Sequence, residues 1–480
     1  MLDDIIKERI KKLEELEKQG IDPYPEFCSR QFSLEEVLDN FSLWSKKKKK
    51  IDVAGRIMAK RGHGGVIFSD IKDEKGKLQL VFKEDKLGTN LMQFFEKYFD
   101  TGDFIDASGT LFLTKSGEKS LLVSNFQLLA KSLRPLPKAW YGLEDIEERY
   151  RRRYLDLILN DEVKERFILR SKIICLIREF LNKEGYLEVE TPVLQPVYGG
   201  ANAEPFITEL KALNSKLYLR IAPELYLKRL IIGSFNKIYE IGKNFRNEGI
   251  DREHNPEFSM LELYAAYQNS NDLKVLIQNL LTFIVKNLNK DLPKPITLPR
   301  KWQEIDYEKF LFKKTGLQLQ DSHNEWFKKA IELKIEVNAN EEKEKIWDTF
   351  FKKFRTEIKE PTFIINHPIE ISPLAKKSKD APAKVSRFQL IFKGWEIVNA
   401  FSELNNPLEQ KQRFEVQVKK RKKGDLEAHP KDVEFIEALE YGMPPTAGLG
   451  LGIDRLVAVL TDAPSLKEII FFPFMKPKEK

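Results

Sequence analysis

The sequence predicts an α+β chain in two parts, a small β-barrel followed by a larger mixed body. Short β-like runs punctuated by Gly and Asp crowd residues 51–129. From about residue 145 onward, long stretches at helical spacing alternate with short β-like runs. Between the two textures stands Arg134-Pro-Leu-Pro137, where proline blocks both helix and ladder. A length of 480 residues suits two to four domains at about 150 residues each. With 42% apolar and 32% charged residues the chain has a globular balance, away from disorder.

Composition narrows the function classes. Lys+Arg 81 against Asp+Glu 74 leaves +7, which suits a polyanionic partner without histone-like basicity. Cys28 and Cys175 are too few and too far apart for a disulfide framework or a thiolate zinc site. The first twenty residues are charged and lack the apolar core of a signal peptide. No uncharged run approaches the roughly 20 residues of a membrane span. A cytoplasmic protein with no membrane association is expected.

In chain order, Ile5, Ile6, Ile10, Leu13 and Leu16 sit at near-helical spacing, and Gly20 with Ile21-Asp-Pro-Tyr-Pro25 stops that helix. Its charged face reads as solvated, or as a grip on RNA. After Lys46–Lys50 come β-like runs at 51–57, 66–71, 77–82, 104–109 and 121–129, with a helical stretch at Leu91–Tyr98 before the fourth. Five strands in about 80 residues suit an oligonucleotide-binding barrel, though strand number alone fits any small barrel. The expected divisions are a helical extension at 1–48, the barrel at 49–132, a linker at 133–147 and the large domain at 148–480. Within the last, helices are predicted at Val163–Glu184, Asp272–Asn287, Asn406–Lys420 and Pro430–Glu440.

Chemistry concentrates in three segments. Asn244-Phe-Arg-Asn-Glu-Gly249, His254-Asn-Pro-Glu-Phe258 and Met260-Leu-Glu-Leu-Tyr264 predict a hairpin around a polar loop, with strands near 238–245 and 258–267. Arg246 and Glu262 then share a face, and Phe258 can stack a base, as a nucleotide pocket needs. A surface hairpin with one salt bridge is the plainer reading. Gly448-Leu-Gly-Leu-Gly452 leads into an apolar helix near Ile453, with Arg455 in its first turn facing a phosphate. The G-x-G-x-G spacing, with no strand predicted before it, is not the dinucleotide fingerprint, and packing glycines are the alternative. In Gly394-Trp-Glu396-Ile-Val-Asn399-Ala-Phe401-Ser-Glu403, alternation puts Asn399, Phe401 and Glu403 on one face, with Glu396 on the other unless a bulge intervenes. That strand floors a pocket or is simply half exposed.

Taken together, these segments resemble motifs 2 and 3 of the class II aminoacyl-tRNA synthetases. Val163–Glu184 with Tyr186-Leu-Glu-Val-Glu-Thr-Pro192 resembles motif 1. Within the class, Gly199-Gly-Ala-Asn-Ala203, Tyr218–Arg229 with Pro223-Glu-Leu225, Phe245–Ile250 and Asn399–Leu404 are similar to the bacterial-type lysyl-tRNA synthetases, nearly end to end. The resemblance implies an N-terminal OB-fold barrel joined to a class II catalytic domain, an antiparallel sheet flanked by helices. It implies a homodimer formed through motif 1, and tRNA(Lys), L-lysine and ATP as partners, with no DNA.

Residue roles follow from the same resemblance. Arg246 and Arg455 would be catalytic, the first on the α-phosphate and the lysine carboxylate, the second on the γ-phosphate. Glu248 and Phe258 would fix adenine, with His254, Asn255, Glu396 and Gly452 completing the ATP site. Gly200 and Glu224 would take the α-amino group, and Glu262, Tyr264, Asn399, Phe401 and Glu403 the lysine side chain. Magnesium would be held at Glu396 and Gln389. Phe68 and Gln79 would read the anticodon.

The physics agrees with such a pocket. Burying an ammonium requires fixed carboxylates, which reject neutral isosteres. Bringing the lysine carboxylate to a phosphate requires cations and positioning, and no side-chain nucleophile.

The chain departs from the family at several places. Gln389 stands where a metal-binding glutamate is usual, which loses charge for a hard cation. Glu204, Glu253 and the Glu209-Leu-Lys211 stretch also differ, and Glu253 beside a triphosphate needs compensation, expected from Arg252. Asn125 and Gln127 replace an anticodon-reading glutamate. A paralogue that lysylates an elongation factor lacks the barrel, so residues 50–130 argue against it. An RNA-binding protein with an inactive synthetase domain is favoured by Gln389 alone.

Overall fold

Five strands, β1 (Lys50–His63), β2 (Val66–Lys72), β3 (Lys77–Lys83), β4 (Phe104–Leu113) and β5 (Lys119–Ala130), close into a barrel in the order β1–β2–β3–β5–β4. The computed structural model describes residues 2–63, 65–137, 143, 145–425 and 427–477. The chain forms two compact units, residues 1–144 and 145–480. Part of the expected 133–147 linker, at 138–142 and 144, lies outside the described residues.

Alternation builds the barrel. Leu78, Leu80 and Phe82 of β3 point inward with Ile67 and Ile71 of β2, while Phe68 and Gln79 stand half-buried on the outer face. The two longest helices of this unit are α1 (Leu2–Lys18) and α2 (Thr89–Tyr98). From α2, Phe95 stacks on Phe82 with ring centroids 3.8 Å apart. The apolar stripe predicted for α1 is only partly used: Leu16 joins the core, but Ile10 is exposed. Arg9 holds the helix instead, its buried guanidinium donating to the carbonyls of Ser132 at 2.7 Å and Thr101 at 3.0 Å.

The second unit is built on an eight-stranded sheet. The elements that build this sheet and its site are, in chain order, α3 (Asp161–Lys183), β6 (Leu187–Glu188), α4 (Glu224–Ile232), β7 (Lys237–Phe245), β8 (Glu257–Ala266), α5 (Ser270–Leu288), β9 (Gln303–Asp306), α6 (Lys343–Phe354), β10 (Thr362–Ile365), β11 (Arg387–Phe392), β12 (Trp395–Ser402), α7 (Pro407–Lys422), β13 (Thr446–Gly452) and α8 (Ile453–Leu460). The strand order is β9–β10–β11–β12–β13–β8–β7–β6. Pairing from β10 to β7 is antiparallel, and only the outer pairs β9–β10 and β7–β6 are parallel. The fourth helix expected near the C-terminus is present at Val433–Glu440.

One face of this sheet is covered by a single large core, and the other carries two smaller apolar clusters and a cavity. Leu261 and Leu263 of β8, Val398 and Ala400 of β12 and Leu449 and Leu451 of β13 pack under α3, α5 and α8 in one apolar core. Each fully buried Leu or Ile contributes about 1.5–3 kcal/mol relative to exposure. The alternate residues, Glu262, Tyr264, Asn399, Phe401 and the glycines of β13, face the other way. No helix among the described residues is long and apolar enough to cross a membrane.

Two local features differ from the sequence reading. The 448–452 glycines, before which no strand is predicted, are themselves the strand β13, paired on both sides between β12 and β8. A bulge does intervene in β12: the register passes from Leu390–Val398 to Ile391–Glu396, leaving Ile397 unpaired. Glu396 thereby joins Asn399 and Phe401 on the cavity face.

Candidate active site

The cavity on this face has a volume of about 450 Å³. Its floor depends on the missing side chains of β13. A Cβ on Gly448 would lie 2.4 Å from the Tyr264 ring and closer still to Glu403 Oε1, and one on Gly450 would collide with the Met260 methyl. The glycines are therefore needed for close approach by neighbouring strands, rather than for a turn. Gly200 (φ +87°) arches over the same space, where a Cβ would come within 2.8 Å of the Glu224 Cβ.

Carboxylates occupy one end. Glu262 on β8, Glu224 in the first turn of α4 and Glu403 just beyond β12 are all buried. Tyr264 donates to Glu262 at 3.1 Å. Burial, reinforced by the charge of Glu224, pushes the Glu262 carboxyl up to about 8. Burial also drives Glu403 well above the ordinary carboxyl range, against the pull of Lys228. Lys228 lies between Glu224 and Glu403, with its Nζ 2.5 Å from an oxygen of each.

Cationic groups occupy the other end. Arg246 sits one residue past β7, its amide donating to Pro256 O at 2.9 Å, and its guanidinium lies 5.0 Å from the centre of the Phe258 ring. Its Nε is buried with no partner among the described residues, as is Asn255 Oδ1. Arg455 falls in the first turn of α8, with one guanidinium nitrogen donating to Glu396 O at 3.2 Å and the other 3.4 Å from His254 Nε2. Asp454 anchors that turn, accepting from Ser259 N at 2.9 Å and pairing with Arg170 at 2.6 Å. Burial works to raise the Glu396 carboxyl, but Arg455, Arg355, Arg387 and Lys352 together hold it below its ordinary value.

The cavity brings together Gly200, Glu224, Arg246, Glu248, His254, Asn255, Phe258, Glu262, Tyr264, Gln389, Glu396, Asn399, Phe401, Gly452 and Arg455. Glu403 is placed behind the floor rather than on it, at the site opened by Gly448. Phe68 and Gln79 share the outer face of the barrel in the other unit, where Gln79 Oε1 accepts from Ser120 at 2.9 Å.

Three features escape the sequence reading. Arg355 compensates Glu253, at 2.7 Å, while Arg252 lies over the Trp395 ring instead. The Gln389 amide oxygen is 2.9 Å from His367 Nε2, and burial beside Arg387 lowers that imidazole to about 3, so it stays neutral. Lys228 is the third. Its signal was its position, because Glu224, Leu227, Lys228 and Ile231 form a single i, i+3, i+4, i+7 stripe on α4.

Among the described residues there is no cluster of three or more His, Cys, Asp or Glu able to hold a metal alone. An ionised Glu396 facing the cavity does fit magnesium, which takes one or two carboxylates and completes its shell with phosphate oxygens and water. Gln389, with its oxygen engaged by His367, fits that role less well than a glutamate would.

Comparison with known proteins gives the same assignment in both units. Residues 145–476 match the family of class II tRNA synthetases (D, K and N), and residues 51–129 match the OB-fold nucleic acid binding domain. The lysine–tRNA ligase of Carboxydothermus hydrogenoformans is 49% identical, over 100% of this chain and 99% of that protein. The lysine–tRNA ligases of Thermotoga maritima and Listeria monocytogenes are 44% and 45% identical over 100% of this chain, covering 97% and 98% of their own lengths.

Proposed function

The chain belongs to the class II tRNA synthetases of the D, K and N group, and from that premise we propose that it is the enzyme that joins lysine to tRNA at the expense of ATP. The observation that carries this reading is a cavity with buried carboxylates at one end and arginines at the other, on a floor of glycines. A dicationic amino acid fits the first end and a triphosphate the second.

In the proposed mechanism Glu224, beside Gly200, accepts the α-ammonium group. Glu262, Tyr264 and Glu403 receive the ε-ammonium, and Asn399 and Phe401 line the side chain between them. Unpaired carboxylates would be costly with a neutral isostere, so discrimination follows from burial. Arg246 bridges the lysine carboxylate and the α-phosphate, lowering the repulsion between two anions at 3–3.5 Å approach. Phe258 and Glu248 hold adenine, while Arg455, His254, Asn255 and the backbone at Gly452 face the outer phosphates. Magnesium, when bound through Glu396 with Gln389 nearby, would screen the triphosphate charge. The acyl group then passes to the terminal ribose of tRNA(Lys), whose anticodon meets Phe68 and Gln79 on the barrel. The proposal includes a homodimer formed through α3 and the strand after it, acting in the cytoplasm.

Pyrophosphate exchange measured against all twenty amino acids tests the reading. Exchange with lysine alone is expected. Exchange with another amino acid would overturn the specificity, and none at all would leave the barrel as an RNA-binding module on an inactive domain.

A further inference from the structure

Lys228 has no part in the mechanism above, yet it is fully buried, with its Nζ 2.5 Å from Glu224 and 2.5 Å from Glu403. Both carboxylates are assigned to opposite ends of the lysine substrate. A buried ammonium carries a large desolvation cost unless paired, and here two acids offset it. Burial alone would lower the Lys228 ammonium, but Glu224 and Glu403 outweigh burial and raise it, so it stays charged.

The surrounding elements contribute few other charges. From β8 come Glu262 and Tyr264, from β11 Arg387 at longer range, and from the segment before the Val433–Glu440 helix His429. Burial and Lys228 lower that imidazole to about 4, so it is neutral. The Phe401 and Phe435 rings, 5.6 and 5.9 Å from Nζ, supply only weak cation–π attraction. Three carboxylates and one ammonium therefore define the cage. When all three acids are ionised its charge is −2, which equals what two ammonium groups neutralise. Without Lys228 it would be −3.

We propose that Lys228 is a resident counter-ion that sets the charge of the carboxylate cage to match a substrate with two ammonium groups, and that it holds Glu224 and Glu403 apart at the spacing those groups require. Lys228 is thus a positioning residue: it touches no substrate and acts through the two acids. This rests on the lysine reading given above. Burial already favours the protonated forms of Glu224, Glu262 and Glu403 in the free protein, and without Lys228 the cage holds about one proton more, which must leave when lysine binds.

The test is calorimetry of L-lysine binding to the full-length protein between pH 6 and 8, in buffers of different ionisation enthalpy, for the wild type and Lys228→Met. The variant is expected to release about one proton more per lysine bound, so that its log Kd steepens by about one per pH unit. Its lysine KM should rise by about 30-fold or more, with the ATP KM far less affected. A folded variant with the wild-type proton count and pH slope would overturn the proposal. If Lys228→Met does not fold, Lys228→Gln, which keeps a polar side chain between the two acids without the charge, is measured in its place. The extra proton and the steeper slope in Lys228→Gln support the charge role. The wild-type proton count and slope in that variant refute it. Failure of the lysine reading is a separate outcome, since the wild type would then not bind lysine.

Discussion

The two ends of the cavity are built by opposite means. The arginines stand at the edges of regular structure: Arg246 one residue past β7 and Arg455 in the first turn of α8, both half-buried. Polar atoms there are left open, Arg246 Nε and Asn255 Oδ1 among them. The carboxylates are instead buried, Glu262 in the middle of β8, Glu224 in the first turn of α4 and Glu403 one residue past β12, with Lys228 packed between the last two. An end that receives a triphosphate and releases pyrophosphate gains from groups that wait unpaired. An end that must measure one side chain gains from groups whose geometry and charge are fixed beforehand.

The largest effect should come from removing the phosphate end's central cation. Arg246→Ala is expected to lower lysine-dependent pyrophosphate exchange by about 10³-fold or more, because it takes away charge stabilisation that grows in the transition state. Near-normal exchange in that variant would break the comparison outright.

At the other end, Gly448→Ala should act on lysine and spare ATP. The new Cβ would overlap Glu403 Oε1 and lie 2.4 Å from Tyr264, so the acid or the ring must move. A lysine KM raised by about 30-fold, with an ATP KM within about threefold of wild type, is expected from disturbing one buried charge contact. Equal changes in both constants would show that the two ends are not separable.

How much of this could be read from the sequence depends on whether a residue's role is local. The barrel strands, the hairpin bearing Arg246 and Glu262, and the helix bearing Arg455 follow patterns of period two or 3.6, and each lies where its pattern indicates. The 448–452 glycines take the packing role that the sequence offers as an alternative, but that they form a strand is not legible, because alternating glycine lacks the side chains by which a strand is recognised. Arg355 was missed because its partner, Glu253, lies 102 positions away and no local pattern joins them. Lys228 was missed for a different reason. Glu224 and Lys228 at i, i+4 resemble an ordinary surface pair, and only their place on the apolar stripe of α4 shows them to be buried.

The carboxylate end also leaves a mark on stability. Folding raises Glu262 from 4.5 to about 8, so between those values the folded protein holds a proton that the unfolded chain does not. Stability without lysine should therefore be fullest below pH 4.5 for this group and decline as pH rises toward 8, by at most about 1.4 kcal/mol per pH unit. Thermal melting from pH 5.5 to 8 should show the decline, and Glu262→Gln should flatten it. A slope indifferent to that substitution would mean the proton resides elsewhere in the cage.

The smallest expected effect lies where the two ends meet. Gln389→Glu would place a carboxylate beside His367 and facing the cavity that Glu396 also lines. A second carboxylate strengthens the hold on a hard cation, so half-maximal exchange should need several-fold less magnesium. His367 sets the limit on this gain: kept neutral by burial beside Arg387, it can donate from Nε2 to either oxygen of the new carboxylate and engage part of it. His367→Asn alongside Gln389→Glu should therefore change the magnesium requirement further than Gln389→Glu alone. A requirement unmoved by either variant would take position 389 out of the metal's surroundings and leave Glu396 as the carboxylate through which the phosphate end binds magnesium.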